Sequence, residues 1–172
     1  KMLCLQINKL YGLKNKSTMI YEVQYTGTVH FEPEHITKKH EEHGEWKKVA
    51  MILIPGQVLD YYRWFLAKEF GVKLISPLRG AHVTFINDRF AKVTGETEEE
   101  KQALWDATKL KWEGVQVPVN IDLNIRTDSK WWWFNVSKEH RLELQAIRDE
   151  LGIGLPYYGL HMSIGHANEN NI

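Results

Sequence analysis

The stretch that decides the fold begins with VAMILI at residues 49–54 and ends with HVTF at residues 82–85. VAMILI is a short apolar run closed by a Pro-Gly pair, which is typical of a strand buried on both faces. Apolar residues then recur at helical spacing over residues 57–70, and Gly71 stands where a C-cap glycine ends a helix. Residues 74–80 read as a loop, and HVTF predicts a second strand. The stretch therefore predicts a strand–helix–strand unit.

The same ordered features recur later in the chain. WWWFNV at residues 131–136 predicts a leading strand, residues 138–151 predict a helix, and HMSI at residues 161–164 predicts a closing strand. After its helix each stretch carries the pattern E-F/L-G-V/I-x-L, at residues 69–74 and 150–155. Chance reproduces one short pattern readily, but not the whole ordered set. We therefore expect two halves related by an approximate twofold axis.

Further elements are predicted outside these two stretches. Residues 20–31 are rich in β-branched and aromatic residues and predict a strand or bent hairpin. Residues 115–126 alternate apolar and polar positions throughout, which predicts a strand with one buried face. Pro118 places the start of that strand at an edge or a bulge. Thr97 and Glu100 have the spacing of a capping box that opens a helix.

The two closing strands carry residues suited to phosphodiester chemistry. Residues two apart on a strand face the same side, so His82 projects with Thr84, and His161 projects with Ser163. The predicted twofold axis brings both pairs across one cleft. A neutral imidazole takes a proton while its protonated mate gives one, and the hydroxyls donate to the non-bridging phosphoryl oxygens. This combination needs no metal.

At these motifs the sequence resembles the 2H phosphoesterase superfamily, which is named for two H-x-T/S-x motifs and includes LigT-like cyclic phosphodiesterases. The resemblance covers about residues 49–165. It implies an α+β, bilobal, pseudo-twofold fold in which antiparallel sheets line a central cleft and helices lie outside. It also implies metal-independent cleavage of a 2′-linked or cyclic phosphate, with His82, Thr84, His161 and Ser163 as the catalytic residues.

The domain organisation follows from the extent of the resemblance. Residues 1–48 are expected to be an N-terminal extension packed on the core, with its own substrate contacts. Residues 49–172 are expected to form the 2H phosphoesterase domain, with lobes at about 49–112 and 113–172.

Three residues near the motifs are candidates for substrate binding. Arg79 precedes the first motif and is placed to hold a phosphate. Tyr157 and Tyr158 precede the second motif and are placed to stack on a base or hydrogen-bond to it. For each residue ordinary loop packing is the alternative. The first and third tryptophans of WWWFNV share one strand face and the second takes the other, and at least one of the three is expected in the core.

Composition limits the partners. Lys+Arg and Asp+Glu both number 22 among 172 residues, so the formal net charge is zero. This balance excludes a general nucleic-acid coat protein or a basic membrane-surface protein. The expected partner is a small nucleotide or oligonucleotide, without a long duplex, a membrane or a cofactor.

Cys4 is the only cysteine, which excludes a disulfide framework, and no apolar run reaches the roughly 18 residues of a membrane span. We expect a cytoplasmic location, in the host cytosol if the protein is viral. The sequence carries no signal for oligomeric state.

Several alternatives stay open. His30, His35, His40 and His43 lie among glutamates and make a zinc site conceivable, but their spacing lacks the i, i+4 repeat of helical ligands, so no metal is expected. His166 follows HMSI and reads as a surface residue rather than a third catalyst. The substrate is either a 2′,3′-cyclic phosphate or a 2′,5′-oligoadenylate type. Viral and phage members of the superfamily destroy cyclic oligonucleotide messengers of host immunity, and that role is a further alternative. The same cleft can also sequester a nucleotide without turnover.

Overall fold

The computed structural model describes residues 22–33, 48–87, 92–156 and 159–167, apart from the side chains of residues 138–143. In this part of the chain, six antiparallel strands form a closed barrel and three helices accompany it, an α+β fold. In chain order the elements are β1 (Glu22–Phe31), β2 (Ala50–Leu53), α1 (Val58–Phe70), β3 (Leu74–Ile75), β4 (His82–Ile86), α2 (Glu98–Trp112), β5 (Gln116–Thr127), β6 (Trp131–Val136), α3 (Lys138–Glu150) and β7 (His161–Ala167).

The barrel runs in the order β7-β4-β2-β1-β5-β6, and β6 pairs with β7 to close it. Each of these pairings is antiparallel. The short strand β3 adds to the far end of β7. Closure gives the barrel strands partners on both sides and limits exposed edges.

The hydrophobic core lies between the barrel and the helices. Buried strand residues and buried helix residues form one cluster, which includes Val29, Ile52, Val83, Phe85, Ile121, Phe134, Met162, Leu66, Trp105 and Ile147. Because successive strand residues point to opposite faces, the positions between these core residues face the barrel interior. Most of those positions are polar, so the barrel encloses a polar cleft rather than a second core.

The predicted strands and helices are confirmed in this part of the chain. Gly71 ends α1 in the left-handed region, with φ 68°. At the start of α2 the Thr97 side chain accepts from the Glu100 amide, and the Glu100 carboxylate accepts from the Thr97 amide, which completes the predicted capping box. Pro118 pairs with Thr26 of β1 on one side of β5, whereas the pairing with β6 on the other side begins only at Ile121. Pro118 therefore lies at a local edge, as expected. Ser137 occupies the N-cap position of α3, but its hydroxyl makes no capping hydrogen bond.

The prediction of a loop over residues 74–80 is wrong for its first two residues. Leu74 and Ile75 form β3 and pair with Ala167 and His166. Gly165 permits this close approach, because a Cβ at that position would lie 2.5 Å from the Ile75 carbonyl oxygen. Two apolar residues shortly before a proline carry too little pattern to predict a strand.

Part of the predicted N-terminal extension belongs to the barrel. Strand β1 lies within residues 1–48, yet it pairs along its length with β5 and also with β2. The remainder of the segment, residues 1–21 and 34–47, lies outside the described residues. None of the three described helices has the length and apolarity that a bilayer span requires.

Candidate active site

The pairing of β4 with β7 determines the geometry of the site. Val83 lies opposite Met162, and both side chains are fully buried in the core. The same antiparallel register places His82 opposite Ser163 and Thr84 opposite His161. All four side chains therefore share the interior face of the barrel. Directly opposite strand residues lie roughly 5 Å apart and diagonal ones roughly 7–8 Å apart, so the two histidines are diagonal neighbours on this face. The structure brings together the four residues that the motifs singled out.

Both imidazoles are held in the same way. His82 Nδ1 lies 3.0 Å from the carbonyl oxygen of Gly80, and His161 Nδ1 lies 2.8 Å from that of Gly159. A carbonyl oxygen only accepts, so each Nδ1 carries the proton and donates it. In a neutral ring the lone pair is then on Nε2, the atom left for chemistry. This contact is not predicted by the motifs themselves, although a glycine two residues before each histidine is a visible signal for it.

The surroundings of His82 favour the neutral form of its imidazole. Burial lowers the pKa of His82 below its ordinary value of 6.5, and the Gly80 carbonyl opposes this shift only in part. The nearby Arg79 guanidinium and, less strongly, the neighbouring His161 ring lower the pKa of His82 further. At neutral pH the His82 ring is therefore a proton acceptor.

A cavity of about 230 Å³ opens beside His82 and Ser163. Its wall comes from the loop before β4, from β6 and from the end of β7; the lining residues are Ser76, Pro77, Leu78, Arg79, His82, Trp131, Ser163, Gly165 and His166. Arg79 thus lines the cavity, and its Nη2 donates to the Pro33 carbonyl at 3.2 Å. Burial lowers the pKa of Arg79, but a guanidinium stays charged at neutral pH.

An aromatic platform completes the cavity. The Trp131 ring lies 4.9 Å from the His166 ring at a tilt of 40°, and Trp131 is 44 % exposed. In the register of β6 and β7, Trp131 pairs with His166 and Trp133 pairs with Ser163. Two residues separate these partners on β7 but only one separates them on β6, so β7 has one extra residue, Ile164. This β-bulge turns His166 to the same face as Ser163. A regular strand would place His166 on the other face, which is why alternation alone gave it no role.

The His161 side of the cleft has a different wall. Asn135 pairs with His161 in the register of β6 and β7. The Trp133 ring stands edge-on to the His161 ring at 6.3 Å, and Trp133 Nε1 donates to Asn135 Oδ1 at 3.2 Å. Trp132 points the other way and is 5 % exposed, which confirms that one of the three tryptophans is in the core.

Two other groups of candidates have different outcomes. Tyr157 and Tyr158 lie outside the described residues, as do the three histidines of the zinc alternative that follow His30, namely His35, His40 and His43. His30 is described, and its Nδ1 lies 3.0 Å from a carboxylate oxygen of Glu113. Among the described residues no cluster of histidine, cysteine, aspartate or glutamate is arranged to hold a metal ion.

In comparisons with known proteins, no family model, no curated protein and no solved structure matches this chain. The resemblance to the 2H phosphoesterases therefore rests on the two sequence motifs, HVTF and HMSI.

Proposed function

We propose that this chain is a metal-independent phosphodiesterase that cleaves a 2′-linked or cyclic phosphate in a small nucleotide or oligonucleotide. The observation that carries the proposal is the pairing of Val83 with Met162, which sets two imidazoles and two hydroxyls on one face. The matching Nδ1 contacts to Gly80 and Gly159 leave both Nε2 atoms for proton transfer.

The electrostatics support an assignment of roles. His82, whose pKa is lowered, acts as the general base and takes a proton from the attacking water at Nε2. The oxygen of that water forms the new bond to phosphorus as the bond to the ribose oxygen breaks. His161 acts as the general acid and gives a proton to the leaving ribose oxygen. Thr84 and Ser163 donate hydrogen bonds to the non-bridging oxygens, where negative charge increases in the transition state.

The topology supports the two-lobed, pseudo-twofold arrangement that belongs to this proposal. When β1 is exchanged with β5, β2 with β6 and β4 with β7, the order of strands around the closed barrel stays the same. Helix α1 connects β2 to the first motif strand, and α3 connects β6 to the second. Apart from the short strand β3, each half then reads β-β-α-β, and the two motifs meet at the axis.

The cavity supports a small substrate with a base near its scissile phosphate. The exposed face of Trp131 offers a stacking surface for one base, which is worth about 1–3 kcal/mol. Arg79 offers a fixed positive charge to a phosphate on the same side as His82. The zero net charge of the chain suits a ligand held by such local contacts rather than a long nucleic acid.

The decisive experiment incubates the purified chain in EDTA with 2′,3′-cyclic mononucleotides, 2′,5′-oligoadenylate and 3′,5′-linked cyclic di- and trinucleotides. A double variant, His82→Ala with His161→Ala, is the matched control. We expect the chain, and not the control, to open a 2′,3′-cyclic or 2′,5′ linkage. Cleavage confined to the 3′,5′-linked rings would identify the immune-messenger alternative instead. Binding without cleavage would replace the proposal with sequestration, and activity that needs zinc would exclude the two-histidine mechanism.

A further inference from the structure

Each motif ends in a β-bulge at the same position. In β4 Phe85 is an extra residue, because Thr84 pairs with Met51 and Ile86 with Ala50. In β7 Ile164 is an extra residue in the same way, between the partners of Trp133 and Trp132. Both extra residues are the third after the motif histidine. A bulge removes a residue from the hydrogen-bonded ladder, so its backbone groups need other partners.

An arginine from the opposite half supplies that partner in both cases. Arg148 on α3 donates from Nη1 to the Phe85 carbonyl. Arg63 on α1 donates from Nη1 to the Ile164 carbonyl at 3.4 Å. The helix of the second half thus holds the first motif, and the helix of the first half holds the second. The helices also pack on strands of the opposite half, since α1 contacts β7 and α3 contacts β4.

Both guanidinium groups also make a second contact. Arg148 is only 3 % exposed, and its Nε donates to the Gly154 carbonyl at 2.9 Å in the loop that leads to β7. Arg63 donates from Nη2 to the carboxylate of Asp60 one turn earlier in α1. The planar guanidinium directs several donors in a fixed fork, so one side chain bridges two acceptors, whereas a lysine ammonium is a point charge on a flexible stem.

We propose that Arg63 and Arg148 are positioning residues that hold the two bulges and so fix the direction of the catalytic side chains of the opposite half. Thr84 and Ser163 directly precede the bulged residues, and each histidine lies two residues further back on the same strand face. A shift of a bulge therefore turns the end of the strand that carries a histidine and a hydroxyl. The kinetic part of this proposal rests on the proposed function, and the structural part does not.

The test of the structural part uses the full chain with ¹⁵N-labelled histidine and no substrate. Arg63→Met is expected to shift the ring nitrogen resonances of His161 more than those of His82, with a smaller shift in Arg63→Lys. Arg148→Lys is expected to shift the resonances of His82 more than those of His161. Lys111→Met is the control, because Lys111 joins α2 to Glu150 on α3 without touching a bulge. It should lower the melting temperature and move neither histidine.

The kinetic test uses the best substrate found for the wild-type chain. We expect kcat to fall about 10-fold or more in Arg63→Met with less than about a twofold change in KM, since small misplacements of catalytic groups cost up to about 10² in rate. A lower melting temperature with unchanged histidine resonances would overturn the proposal, as would equal shifts of both histidines. If Arg148→Lys fails to fold, the Arg63 variants decide alone, because Arg63 is less deeply buried than Arg148. Failure to find any substrate would leave the resonance test fully informative.

Discussion

The two halves of the cleft share one framework but differ in what surrounds each histidine. His82 and His161 sit at the same strand position, and each donates from Nδ1 to a glycine carbonyl two residues earlier. Arg79 and the cavity lie on the His82 side, whereas Trp133 and Asn135 flank His161. An approximate symmetry can thus supply two equivalent groups, while burial and the nearby Arg79 charge lower the pKa of His82. Under the proposed function, those differences separate the base from the acid.

Removing either histidine tests the shared part of this comparison and has the largest expected effect. His82→Ala and His161→Ala should each lower kcat by about 10²–10⁴, the contribution of one positioned acid or base. Both variants should fold, since neither ring belongs to the hydrophobic core cluster. Steady-state rates at saturating substrate and circular dichroism measure the two properties. Near wild-type turnover in either variant would make that histidine structural.

The hydroxyls should have the next largest effect. Thr84→Ala or Ser163→Ala removes one hydrogen bond to the phosphoryl oxygens, which costs about 2–4 kcal/mol of transition-state stabilisation. Thr84→Ser keeps the hydroxyl and should be mild, because position 163 already uses serine. The comparison of kcat/KM across these three variants is the measurement. A phosphoryl group trapped on Thr84 or Ser163 would instead identify a nucleophile.

The sequence predicted the shared face of the four motif residues better than it predicted their surroundings, for a physical reason. Period-two alternation places His82 with Thr84 on one face, and the repeat implies that the second pair faces the first. The bulge at Ile164 breaks that alternation, so the turn of His166 into the cavity was not predictable from spacing. The roles of Arg63 and Arg148 depend on helices crossing to the opposite half, which no local pattern reports. The sequence does not predict that β1 belongs to the barrel, because the recognisable repeat begins only at β2.

Trp131→Ala tests the part of the cleft that lies on the His82 side alone. If a base stacks on this ring, the loss of about 1–3 kcal/mol should raise KM roughly 5- to 160-fold and leave kcat nearly unchanged. Trp64→Ala is a matched control, because Trp64 is a similarly exposed tryptophan that does not line the cavity. Initial rates over a range of substrate concentrations separate KM from kcat. An unchanged KM in Trp131→Ala, or an equal change in Trp64→Ala, would exclude the platform as a base subsite.

The pH dependence of stability gives the smallest and most specific contrast between the two halves. Because the pKa of His82 is lower in the folded chain than its ordinary value of 6.5, the unfolded chain binds more protons just below that pH. The contribution of neutral His82 to the free energy of unfolding is therefore complete above pH 6.5. It is lost as the pH falls toward the lowered pKa of His82. His82→Gln cannot titrate, so its free energy of unfolding should decline less than that of the wild-type chain between pH 7.5 and pH 5.5. Urea unfolding at the two pH values measures the difference, in which titrations common to both chains cancel. Equal declines would mean that the pKa of His82 is not lowered, and the assignment of His82 as the base would lose its electrostatic support.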